Sequence, residues 1–152
     1  MPNKPANIKI VVQSRVGSKR LPGKALAEIN GFRLIEWVLS RTTKNSHRIE
    51  VILATTENSE DDELVELAAD YGVDSVRGHE TDLVKRFLEV TEIYRPQEII
   101  RVCADNPFVS ASFIDELYEY WLERDLDYAY NHAPIGGLKV MDGFGAEIFS
   151  VP

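Results

Sequence analysis

The sequence predicts an α/β fold, a Rossmann-like three-layer sandwich with a mostly parallel central sheet. The first observation behind this is alternation. Short apolar runs rich in β-branched residues exchange with segments of helical periodicity, strand then helix, four times along the chain. That order means parallel strands joined by right-handed crossovers. The second is bulk character: 152 residues, 44% hydrophobic and 28% charged, suit one globular domain over 1–152 with a real core.

The elements follow in order. Ile8 to Val12 reads as the first strand. Asn30-Gly31 marks a turn, and Arg33 to about Thr43 places Leu34, Ile35, Val38, Leu39 and Thr42 at helical spacing. Glu50 to Ala54 is the second strand. With Asn58 or Ser59 as N-cap, an amphipathic helix then runs to Tyr71 and stops at Gly72. The Glu60-Asp61-Asp62-Glu63 run sits in its first turn, where acids complement the helix dipole on a solvated surface. Asp74 to Arg77, ending in Gly78, is the third strand. Asp82 or Thr81 caps the next helix, which Pro96 closes. Glu98 to Cys103 is the fourth strand, broken by Ala104-Asp105-Asn106-Pro107. Ser112 caps a helix with Phe113, Ile114, Leu117, Tyr118, Trp121 and Leu122 on one stripe. Tyr128 to Tyr130 reads as a fifth strand. Pro134-Ile135-Gly136-Gly137, Leu138 to Met141, Asp142-Gly143 and Ala146 to Val151 read as loops and short strands of a hairpin type, with nothing covering the last strand.

Charge narrows the function classes. The net charge of −8 leaves no broad basic face for nucleic acid. No apolar run approaches the roughly 20 residues of a membrane helix, and no apolar segment follows the N-terminus as a secretory signal would require. Cys103 is the single cysteine, which excludes an internal disulfide and makes the cytoplasm the expected compartment. It reads as a small buried hydrophobe, and His47, His79 and His132 show no metal-ligand spacing.

Against this acidic background, Arg15, Lys19, Arg20 and Lys24 fall within ten residues that also hold Gly17, Pro22 and Gly23. Glycines let backbone N–H groups approach a ligand, and cations supply the opposite charge. A strand leading into such a loop predicts a site for phosphate oxygens. It is not a P-loop, because five residues separate Gly17 from Gly23 and Ala25 follows Lys24. Nor does it contain G-x-G-x-x-G. Ligands of such sheets bind at the carboxyl ends of the strands, so loops 14–24, 55–59, 78–82 and 104–110 should meet. Asp105 lies in the last of these, either as a turn residue before Asn106-Pro107 or as a magnesium ligand facing a triphosphate.

The run Gln13-Ser14-Arg15-Val16-Gly17-Ser18-Lys19-Arg20-Leu21-Pro22-Gly23-Lys24 resembles that of the cytidylyltransferases. That family includes the acylneuraminate and Kdo enzymes, and the resemblance is nearest to the spore-coat polysaccharide branch. Ala54 to Asp62, Arg77-Gly78 with Asp82, Arg101 to Pro107, Asp142-Gly143 and Glu147-Ile148-Phe149 match it in order. The resemblance implies a nucleotide-diphospho-sugar transferase type of fold. It also implies a reaction in which a sugar hydroxyl, expected to belong to a sugar acid such as a nonulosonate, attacks the α-phosphate of CTP. The products are a CMP-sugar for surface polysaccharide and pyrophosphate. It gives Arg20 and Lys24 the catalytic role of offsetting phosphate charge, and makes Arg15, Gly17 and Ser18 further triphosphate contacts. Thr55, Thr56, Arg77 and Asp82 would frame the base or sugar, and Asp105 would hold Mg²⁺. Members of the family continue beyond this length, so the resemblance implies a truncated C-terminal part, and with it a second acidic metal ligand and homodimer contacts that have no counterpart here. A pyrophosphorylase using another nucleoside triphosphate and a non-catalytic nucleotide-binding module are the competing expectations.

Overall fold

The computed structural model describes residues 7–131 and 144–152. Its strands are β1 (Ile8–Gln13), β2 (Glu28–Ile29), β3 (Phe32–Arg33), β4 (Glu50–Thr56), β5 (Asp74–Gly78), β6 (Glu98–Cys103), β7 (Tyr128–Tyr130) and β8 (Glu147–Ser150). The α-helices are α1 (Leu34–Thr42), α2 (Asp62–Asp70), α3 (Leu83–Tyr94) and α4 (Ala111–Leu122). The central sheet runs β5-β4-β1-β6-β8-β7. Its first four strands are parallel, and β8 pairs antiparallel with both β6 and β7.

Two-residue alternation divides the core between the two faces of the sheet. Ile10, Val12, Val51, Leu53, Ile100 and Val102 point to the side covered by α1, α2 and α4. Val11, Ile52, Ala54 and Ile99 point the other way, against Val90 and the partly buried Phe87 and Tyr94 of α3. With both faces covered, β1, β4 and β6 can be apolar almost throughout, which is why they read as continuous runs.

Local chemistry sets the boundaries. Asn30 and Gly31 both have positive φ, 52° and 85°, and close the small β2–β3 hairpin in the way a two-residue turn demands. Gly72, at φ 67°, ends α2. Asp82 rather than Thr81 caps α3, accepting from Lys85 N at 3.0 Å. Ser110, not Ser112, caps α4: its Oγ accepts from Phe113 N at 3.2 Å, while the Ser112 hydroxyl meets Ser110 Oγ at 2.9 Å. Neither Asn58 nor Ser59 is the N-cap of α2: a 3-10 turn, Ser59–Asp61, preceded by Asn58 without a side-chain capping bond, leads into the helix, whose N-cap position is Asp61.

The last strand also departs from expectation. β8 is not left uncovered; it is inserted between β6 and β7, with Ile148 fully buried beside α4. The elements expected over 134–143, including Asp142-Gly143, and His132 lie outside the described residues. Among the described residues no helix is long and apolar enough to cross a membrane.

Candidate functional site

The exits of β1, β5 and β6 enclose one cleft of about 340 Å³ at the carboxyl end of the parallel strands. One wall is the cationic loop, contributing Arg15, Ser18, Lys19, Arg20 and Lys24. The opposite wall is the β5–α3 connection with Glu80 and Thr81, and Asp105 stands at the end of β6.

The cationic loop has a defined shape. Val16 O accepts from Ser18 N at 2.7 Å and Gly23 N at 3.0 Å, which folds residues 16–23 back on themselves. Gly23, at φ 73° with nothing near its missing Cβ, supplies the left-handed residue that starts the following 3-10 turn. The Ser18 N–H is thus spent inside the loop, so of the two amides expected to face phosphate, that at Ser18 already has a partner.

A residue that sequence reasoning placed on the surface anchors this loop. Asp61 is 1% exposed. Its carboxylate accepts from Val16 N at 2.7 Å, Thr55 Oγ1 at 2.9 Å, Thr56 N at 3.0 Å and the Thr56 hydroxyl. Within a run of four acids nothing in the sequence singles Asp61 out. The same bonds relocate Thr55 and Thr56, which were expected to frame the base or sugar. They are buried, do not line the cleft, and their hydroxyls are committed to Asp61. Arg77 is likewise outside the cleft. It donates to Thr56 O at 2.9 Å and Asn58 O at 2.8 Å and pairs with Asp62 at 2.6 Å, stapling the β4–α2 connection. Asp82 caps α3, and Gly17 lies on the loop without lining the cleft.

The structure does bring Lys24 and Asp105 together. Lys24 Nζ and Asp105 Oδ2 are 2.8 Å apart across the cleft, both partly exposed. Arg15 reaches the far wall, donating to Glu80 O at 3.0 Å. Arg20 is exposed and faces both this cleft and a second one of about 520 Å³. The two clefts also share Cys103 and Asp105, and Arg101, Phe108 and Glu147 line the second.

Between them lies a polar relay. Arg101 donates to Gln13 Oε1 at 3.0 Å and pairs with Glu147 at 2.7 Å, and Gln13 Nε2 and Arg101 Nη2 each reach Cys103 Sγ at 3.4 Å. Burial pushes the Cys103 thiol up, only partly offset by Arg101, so it stays protonated and serves as a weak acceptor rather than a nucleophile.

Arg86, on the first turn of α3, is the other side chain with little sequence signal. It is 4% exposed and lines the first cleft. Burial, together with the neighbouring positive charge of Arg15, lowers its pKa from the ordinary arginine value, and Asp61 partly compensates.

A parallel sheet with a cationic loop at the exit of its first strand, facing an aspartate at the exit of a neighbouring strand, is an α/β arrangement whose ligand crevice lies at the carboxyl ends of the strands. The comparisons specify it further. Residues 9–139 match the family model described as cytidylyltransferase, and the chain belongs to that family. It is 33% identical over 135 residues to the spore coat polysaccharide biosynthesis protein SpsF of Bacillus subtilis, covering 86% of this chain and 56% of SpsF. A cytidylyltransferase structure from Leptospira borgpetersenii superposes with a TM-score of 0.85 at 27% identity, over 95% of this chain and 60% of that one. A CMP:2-keto-3-deoxy-manno-octonic acid synthetase solved in complex with CTP superposes with a TM-score of 0.70 at 25% identity, over 81% and 51%. The chain thus spans little more than half the length of these relatives.

Proposed function

We propose that this chain carries the nucleotide-binding half of a Mg²⁺-dependent cytidylyltransferase that transfers CMP from CTP to a sugar hydroxyl and releases pyrophosphate. The observation that carries this reading is the 2.8 Å approach of Lys24 and Asp105 across a cleft otherwise walled by Arg15, Lys19 and Arg20. Like charges so crowded repel one another unless an anion lies between them. Lys24 offers a point charge, Arg20 and Arg15 planar forks suited to phosphate oxygens.

The donor set fits magnesium. Mg²⁺ takes one or two carboxylates and completes its shell with phosphate oxygens and water. Asp105 supplies one partly exposed carboxylate whose recorded side-chain partner is Lys24. No group of three or more potential ligands forms an all-protein cage among the described residues. Bound there, the ion would neutralise charge developing on the phosphates. Lys24 and Arg20 would hold the triphosphate in line and stabilise the pentavalent transition state, in which positioning and electrostatics dominate catalysis.

The second cleft, sharing Arg20 and Asp105 with the first, is where the acceptor would approach the α-phosphate. The sugar-acid acceptor and the role in surface polysaccharide rest on the SpsF and octonic acid synthetase likenesses. The test is the double variant Arg20→Ala, Lys24→Ala, titrated with CTP and magnesium in a calorimeter. The expected result is loss of CTP binding with the melting temperature nearly unchanged, since an exposed ion pair contributes about 0–1 kcal/mol. Unaltered CTP affinity would remove the phosphate-loop reading.

A further inference from the structure

We propose that the second cleft reads its occupant through Glu147, taking a sugar that turns a hydrogen-bond donor, a hydroxyl or ammonium group and not a carboxylate, towards β8. The proposal rests on the cytidylyltransferase reading above and names the acceptor chemistry that this chain's own residues favour.

The β6–β8 end of the cleft is built from one cross-strand pair. Arg101 and Glu147 lie opposite each other in the antiparallel register, with side chains 28% and 23% exposed. Every nitrogen of the guanidinium is engaged, Nε with Gln13 Oε1, Nη1 with Glu147 Oε2 and Nη2 with Cys103 Sγ. Arginine recognises a carboxylate through two parallel N–H groups, and Arg101 keeps no such fork for a ligand. Glu147 is in the opposite condition. Its Oε2 takes Arg101, while Oε1 has no hydrogen bond among the described residues, and the residue lines the cleft. An ionised carboxylate only accepts, so the group that completes it must donate.

The adjoining wall suits a sugar ring. Phe108 lines the cleft at 51% exposure and stacks on Phe144 at 5.1 Å and 18°, and Phe113 braces Phe144 edge-on at 6.3 Å. The face of an aromatic ring is its negative side, which matches the C–H face of a pyranose. Gly145 and Ala146 also line the cleft and join Phe144 to Glu147 without a bulky side chain between them. Asn106 Nδ2 donates to Gly145 O at 2.9 Å and holds that segment against the β6 exit. The other end of the cleft, with Arg20, Cys103 and Asp105, is shared with the first cleft. The attacking hydroxyl belongs at that shared end, and Glu147 reads a group remote from it. An acidic acceptor must turn its carboxylate towards Arg20, because at Glu147 it would meet a like charge.

The test uses the whole chain and ligand-observed NMR titrations with three related pyranoses, D-glucosamine, D-glucose and D-glucuronate. The wild type should bind glucosamine at least tenfold more tightly than glucuronate, with glucose between them. In Glu147→Gln the amide oxygen stays with Arg101, which only donates, and the NH₂ group faces the cleft. That variant should lose at least fivefold in glucosamine affinity. Glu147→Ala frees the Arg101 fork and should bind glucuronate at least fivefold more tightly than the wild type does. Both variants should bind CTP as the wild type does, since Glu147 does not line the first cleft. Where a variant fails to fold, the wild-type comparison still decides. Glucuronate bound as tightly as glucosamine overturns the proposal, as does binding of none of the three sugars. A folded Glu147→Gln with an unchanged preference overturns it too. In each of these cases intact CTP binding leaves the nucleotide reading standing. A wild type that binds no CTP removes that reading and this proposal with it.

Discussion

Replacing Asp61 by Asn changes one oxygen to an NH₂ group in a sealed site, and the consequence can be worked out from its four bonds. One carboxylate oxygen takes Val16 N, and the other takes Thr56 N and both threonine hydroxyls. An asparagine in either orientation turns its NH₂ towards one of the two backbone N–H groups. The hydroxyls can rotate to accept, but a backbone N–H cannot. At least one buried donor is stranded, at about 1–3 kcal/mol, and the charge-assisted strength of the remaining bonds falls. The total should be about 2–4 kcal/mol. Urea unfolding should show this as a lower midpoint at unchanged slope, and heating as a melting temperature lower by roughly 2–4 °C per kcal/mol for a chain of this size. Because Val16 O closes the cationic loop, CTP affinity should fall as well, although Asp61 does not line the cleft. A variant within about 0.5 kcal/mol of wild type, the usual range for a surface change, would refute the assignment of Asp61 as the loop's anchor.

Two further predictions concern the frame. Ser110→Ala should cost about 1 kcal/mol in urea unfolding, the ordinary value of a lost N-cap, while Ser112→Ala should cost distinctly less; the reverse order would restore the cap expected from sequence. Burial, with the nearby Asp74 and Glu50 carboxylates, pushes the Tyr94 phenol up to about 12. Its folded value lies above the unfolded value of about 10, so its contribution to stability is fully present below pH 10 and is lost as the pH rises towards 12. Tyr94→Phe should therefore remove one late-ionising phenol from the ultraviolet titration and flatten that part of the stability profile.

The fold was legible because its signals are local and repeated. β1, β4 and β6 are buried on both faces, so their apolar runs stand out, and Gly72 and Asp82 punctuate the helices where the structure ends and begins them. The cationic loop was legible for a different reason, being a concentration of positive charge in an acidic chain. That Lys24 and Asp105 share one rim followed from strand order, since parallel strands place both loops at one end of the sheet; their direct ion pair is a finding of the structure.

What escaped was burial inside polar segments. Asp61 and Asp62 are adjacent acids in one run, yet one is sealed beneath the cationic loop and the other pairs with Arg77 at the surface. Thr55 and Thr56 occupy a loop predicted to meet the ligand, but a buried carboxylate captures their hydroxyls. The antiparallel insertion of β8 depends on long-range pairing with β6, including Arg101 with Glu147, and neither short strand announces its partner.

The central claim is that phosphates bridge the cationic loop and a metal held by Asp105. The most direct measurement is the affinity for CTP with and without magnesium, in the wild type and in Asp105→Asn. Magnesium should tighten CTP binding to the wild type at least tenfold and have little effect on the variant. Equal magnesium dependence in both proteins would contradict it.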